Sequence, residues 1–193
     1  MNTRLPPTPD FESMEAAAGQ TVDQRTNILA LIGNLSFSWS NNESMFIYVL
    51  QVLLETDFTS AAITFVTLNT TRARLDLIRR LAKYKVPDPA VVRKLERLIE
   101  RFNRCTKLRN EFNHCIYQLD ETGQITHTNV LRIHETKKEM TIATLKKMDA
   151  ARLREITNTV RRLRTINRDI WAFLTELEAA VGNKNRRGSK SRK

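Results

Sequence analysis

The stretch "PAVVRKLERLIERFNRCTKLRNEFNHCIYQLDETGQITHTNVLRIHE", residues 89–135, changes its period part-way along. From Pro89 to Asn113, Val92, Leu95, Ile99, Phe102, Cys105, Leu108 and Phe112 recur along one stripe, which predicts a helix over that span. Beyond His114 apolar and polar residues alternate, and "DETGQ" (120–124) reads as a turn, so the spacing predicts a short β-hairpin. A third strand is expected near "EMTIATL" (139–145).

Outward from this switch the pattern is helical on both sides. Upstream, Ile28, Leu29, Leu31, Ile32 and Leu35 predict a helix from Val22 to about Ser36. "WSNNES" (39–44) reads as an interruption, its Asn and Ser residues able to cap a second helix from about Glu43 to Glu55. That second helix is apolar nearly all round and belongs to the core. A third is expected from Phe58 to Lys85, apolar first and basic later, and "VPDP" (86–89) ends it. A final helix is expected from about Met148 to Val181, through Leu153, Ile156, Val160, Leu163, Ile170, Leu174 and Leu177. The expected class is therefore mainly α: an antiparallel bundle of about five helices with a short β insert, about 115–145, before the last helix. Five Gly and five Pro in 193 residues agree with helices rather than a turn-rich sheet fold. Residues 1–20 read as a flexible lead-in, 21–181 as one helical domain and 182–193 as a disordered basic tail.

Charge suggests an anionic partner. Against 21 acidic residues stand 32 Lys and Arg, a net charge of +11. The last twelve residues hold six of those cations and no acid, so +11 less six leaves +5 for the rest. Such a tail attracts phosphates without defining a site. Arg93, Lys94, Arg97, Arg101 and Arg104 share the polar side of the 89–113 helix; this is either a solvated face or an RNA-facing one. Cys105 and Cys115 do not have the spacing of a metal knuckle or a redox pair. The N-terminus is polar and Pro-containing where a signal peptide needs an apolar run. "MFIYVLQVLL" (45–54) is too short to cross a bilayer, so no membrane association and a cytoplasmic setting are expected.

The candidate site is "RNEFNH", residues 109–114. Asn110 and His114 are separated by about 40° around an ideal helix and share a face, whereas Arg109 and His114 are separated by about 140°. An imidazole exchanges a proton with a ribose 2′-OH or a leaving 5′-oxygen near neutral pH. A guanidinium binds a phosphate bidentately and offsets charge building on its oxygens, and Asn orients either partner. No cluster of ligands has metal spacing, and neither a metal nor a cofactor is expected.

"RNEFNH" resembles the R-N-x-x-x-H form of the Rx4-6H motif of the HEPN (higher eukaryotes and prokaryotes nucleotide-binding) superfamily, and the order of elements over about residues 22–181 resembles that family too. The resemblance implies a metal-independent endoribonuclease of the kind found in toxin–antitoxin or phage-defence systems. It implies a homodimer with two motifs facing each other, RNA as substrate and an antitoxin or defence-system partner. It casts Arg109 and His114 as the defining pair and Asn110 as the polar residue that follows the Arg. Tyr117 stands three residues after His114, one further than in the branch whose toxins are modified on tyrosine, so that regulation is not carried over. Arg97, Arg101, Arg104 and Tyr117 are candidate RNA contacts, Tyr117 also being readable as a packing aromatic. Two other readings stay open: His114 as a helix C-terminal residue interacting with the dipole, and the whole chain as a noncatalytic adaptor that binds RNA or an acidic protein.

Overall fold

The computed structural model of the chain describes residues 24–120, 124–135 and 140–190. In order these form α1 Gln24–Leu54, α2 Phe58–Thr67, α3 Thr71–Lys85, α4 Pro89–Asn113, β1 Cys115–Leu119, β2 Ile125–Glu135, β3 Met140–Lys147 and α5 Ala150–Lys190. The chain is mainly α with a small β insert before the last helix, as its period pattern indicates. The lead-in expected over residues 1–20 lies outside the described residues, as do residues 191–193 of the expected tail. α5 runs on past Val181, where the apolar stripe ends, to Lys190.

Two helix boundaries differ from expectation. "WSNNES" does not interrupt a helix, since α1 is continuous from Gln24 to Leu54. The reason is burial: Trp39 is 4% and Asn42 1% exposed, and packing of those side chains outweighs the local preference of Ser and Asn for caps. Glu43 therefore lies inside the helix. Its carboxylate accepts a hydrogen bond from Thr71 Oγ1 at 2.5 Å and pairs with Arg74 Nη1 at 3.1 Å, tying α1 to α3. Conversely, the helix expected over 58–85 is two helices. Thr70 caps α3 by accepting from the Ala73 N–H at 3.1 Å. Arg74 Nε donates to the carbonyls of Phe65 and Leu68, which the break leaves without helical partners. Asp57 caps α2 by accepting from the Ser60 N–H at 2.9 Å, and that bond holds its carboxyl below the usual carboxylate range.

Contacts group the chain into two compact units, with α1, α4 and α5 each supplying a segment to both. One unit holds residues 40–103 and 164–190 of the described chain. Phe46, Leu50 and Leu53 of α1, Leu75 and Ile78 of α3, Leu95, Ile99 and Phe102 of α4, and Ile170, Phe173, Leu174 and Leu177 of α5 are buried there. The rings of Phe46 and Phe102 lie 5.4 Å apart, and Tyr48 packs against both Phe58 and Trp171. The ion pairs Lys94–Glu176 and Arg101–Asp169 link α4 to α5.

The other unit holds residues 24–39 and the described part of 104–163. Its sheet is antiparallel in the order β1-β2-β3. Register places Cys115 with Val130, and Tyr117 with Thr128 and Lys146, on the face where Val130 and Thr128 are buried. Ile116, Asn129 and Leu145 form a row on the opposite face, where Ile116 and Leu145 are more than half exposed. The chain leaves the sheet through Met148, whose N–H donates to the Thr126 carbonyl. Asp149 then caps α5, its carboxylate accepting from the Arg152 N–H at 2.9 Å, a bond that lowers its pKa. Among the described residues no single helix is long and apolar enough to cross a membrane.

Gly33 sits inside α1, and a Cβ built there meets nothing within 4 Å. Gly33→Ala is expected to stabilise the protein by about 0.5–1 kcal/mol, read as a higher urea midpoint with an unchanged slope.

Candidate functional site

The end of α4 is where the helical period stops, and its unpaired carbonyls need partners. The His114 N–H donates to the Asn110 carbonyl at 3.1 Å. The Phe112 carbonyl receives both the Tyr117 hydroxyl at 2.7 Å and, more weakly, the Cys115 thiol at 3.5 Å. β1 therefore supplies the closure of the helix that precedes it. Burial pushes the Tyr117 phenol well above its ordinary range, and burial likewise pushes the Cys115 thiol up. Tyr117 is half-buried with its hydroxyl engaged at the helix end, while His114 is exposed in the turn.

Arg109 is half-buried and lies against the indole of Trp39, with its guanidinium carbon 3.9 Å from the ring centroid. Its Nη1 donates to Asn110 Oδ1 at 3.1 Å, and its Nε is buried without an acceptor. Among the described residues no carboxylate pairs with it. Trp39 is itself held by its ring N–H, which donates to Thr106 Oγ1 at 2.9 Å. One turn beyond, Ser36 Oγ lies 3.5 Å from Asn113 Oδ1, a second polar contact between α1 and α4 in this unit.

Glu111, inside the same motif, does the opposite of Arg109. Its carboxylate, 11% exposed, pairs with Arg152 at the start of α5 and with Lys146 of β3 at 2.8 Å. Arg152 is 7% exposed, lies 4.6 Å from the Phe112 ring centroid and also pairs with Glu155. The helix end that carries Arg109, Asn110 and His114 is thus fastened to both the sheet and the last helix.

The other expected contacts divide. Arg97 and Arg104 are exposed on α4, whereas Arg101 is paired with Asp169 at 2.5 Å and Lys94 with Glu176, so part of that basic face is neutralised by α5. His127 is half-buried on β2, in register with Gln118 and Lys147. The side chain of His134 lies outside the described residues. Among the described residues no group of three or more His, Cys, Asp or Glu side chains is placed to hold a metal ion. Trp39, Thr106 and Glu111 are not among the residues that the sequence pattern points to. For Thr106 the available signal was its position three residues before Arg109; nothing local announced that an indole from α1 would meet it.

Compared with family models, with curated proteins and with solved structures, the chain matches nothing in any of the three.

Two outcomes follow from this geometry. Glu111→Gln leaves Arg152 with less counter-charge in a buried place and is expected to cost about 3 kcal/mol in urea unfolding, whereas the double variant Glu111→Leu/Arg152→Met loses much less. Cys115, its thiol pushed up by burial, is expected to react with iodoacetamide at neutral pH more slowly than a cysteine in an unfolded peptide; mass spectrometry of the folded and urea-unfolded protein reads the difference.

Proposed function

We propose that the chain is a metal-independent endoribonuclease that acts in the cytoplasm, in a toxin–antitoxin or phage-defence setting, as a homodimer. The ribose 2′-oxygen attacks the adjacent phosphorus and loses its proton to an imidazole. The O2′–P bond forms as the P–O5′ bond breaks, and the departing 5′-oxygen takes a proton. The products are a 2′,3′-cyclic phosphate and a 5′-hydroxyl. His114 takes the proton-transfer role, Arg109 receives the scissile phosphate and Asn110 orients the guanidinium. With one such His per chain, a facing pair of motifs supplies both the base and the acid; the dimer comes from the family resemblance.

The observation that carries the reading is Arg109. A guanidinium that is half-buried, bonded to Asn110 and without a carboxylate partner among the described residues keeps its charge available to an anion. His114, in the turn that follows the same helix, is exposed. A second reading, a module that binds RNA without cutting it, is favoured by the exposure of Arg97, Arg104 and Lys107 along α4.

The test is cleavage of a mixed RNA pool in EDTA by purified protein, beside His114→Ala and Arg109→Ala variants matched for helicity. Cutting by the parent that both substitutions reduce by at least about a hundredfold supports the assignment. An inert parent that still binds RNA assigns the chain to the second reading. Equal cutting by all three proteins removes the motif from the chemistry.

A further inference from the structure

A guanidinium that is to bind a phosphate through two parallel N–H bonds must present its plane at a set angle, because the fork, unlike a point charge, is directional. The flexible side chain of Arg109 does not impose that angle by itself. Something must set the plane without cancelling the charge. A carboxylate would do the first and defeat the second; an aromatic face does the first alone.

Trp39 offers such a face. Its ring lies 3.9 Å from the Arg109 guanidinium carbon, and it is 4% exposed, so it does not swing freely. Its N–H is bonded at 2.9 Å to Thr106, one turn before Arg109 on α4. The indole of one helix is thereby clipped to the other helix beside the side chain it supports. Asn110 holds one Nη1 hydrogen from the side at 3.1 Å. All four residues belong to the unit that contains the sheet.

We infer that Trp39, anchored by Thr106, is a positioning residue: an aromatic shelf that orients the Arg109 guanidinium to receive a phosphate oxygen of single-stranded RNA. The inference rests on the phosphodiester reading of Arg109 above. It predicts that filling the anion site changes the environment of the Trp39 ring, and that loosening the ring weakens the site while its charge stays constant.

The experiment uses the full chain carrying Trp171→Phe, which leaves Trp39 as its single tryptophan. An all-2′-O-methyl RNA oligonucleotide, which lacks the attacking hydroxyl, is titrated in while indole emission is recorded. Anisotropy of the same oligonucleotide, end-labelled, reports binding independently. The expected result is a saturable emission change that tracks anisotropy and disappears on adding Arg109→Ala. Adding Thr106→Val, which removes the acceptor and keeps the shape, weakens affinity about three- to tenfold, and Thr106→Ser restores it. Should Thr106→Val lower helicity, the comparison of Thr106→Ser with Thr106→Ala decides the same point. RNA binding seen by anisotropy with silent indole emission, or parental affinity in Thr106→Val, overturns the shelf.

Its failure is separable from that of the ribonuclease reading. An emission response in a protein that does not cut unmodified RNA retains the shelf and removes the ribonuclease. Cutting with a silent indole and a parental rate in Thr106→Val does the reverse. No binding by either readout overturns the shelf, and the cleavage assay alone then decides the ribonuclease.

Discussion

Arg152 is a cation buried at the junction of the sheet and the last helix, and a buried cation must be paired. The residue that pairs it, Glu111, belongs to α4, and the same carboxylate also takes Lys146 from β3. Three elements distant in sequence therefore meet on one side chain, and the Phe112 ring beneath the guanidinium adds an apolar contact to the charged one. Tyr117 completes the closure by donating to the Phe112 carbonyl. The position of the α4 terminus, and with it Asn110 and His114, depends on that node. Glu111 lies between Asn110 and Phe112, so support and candidate chemistry occupy adjacent residues of a single turn.

Several arginines below the surface have carboxylates. Arg74 has Glu43, Arg101 has Asp169 and Arg152 has Glu111. Arg109 has an indole and an amide instead. A purely structural arginine at that depth is best served by neutralisation, since desolvating an unpaired charge opposes folding. A binding arginine is best served by support that leaves its charge intact. The local environment of Arg109 is of the second kind, and the neutralised pairs Lys94–Glu176 and Arg101–Asp169 on the same helix make the contrast without recourse to resemblance.

Local propensity and tertiary burial compete most visibly at "WSNNES". Ser and Asn favour caps because their short side chains bond neighbouring backbone groups, which argues for a helix break. Trp39 and Asn42 are nevertheless among the most buried residues of α1, and a continuous helix is what keeps both inside. The reverse holds at Leu68–Thr70. The pattern of Leu75, Ile78 and Leu81 extends helically, yet Thr70 caps a new helix and Arg74 satisfies the carbonyls that the break exposes. Neither outcome is available to a reading of periodicity, because each depends on partners from other parts of the chain.

The sequence by itself determined the class of the protein: a period near 3.6 up to Asn113, a period of two through the insert, and 3.6 again from α5 onward. It also determined the chemical inventory at the helix end, since residue types and their angular spacing follow from the chain order alone. The tertiary structure decided which of those groups keeps its charge. Glu111 and Arg109 stand two residues apart on α4, but one meets Arg152 and Lys146 while the other meets Trp39. Pairing across a fold is set by what distant segments bring within a few ångströms, and Coulomb and hydrogen-bond energies are short-ranged enough that only this proximity separates a neutralised side chain from an available one.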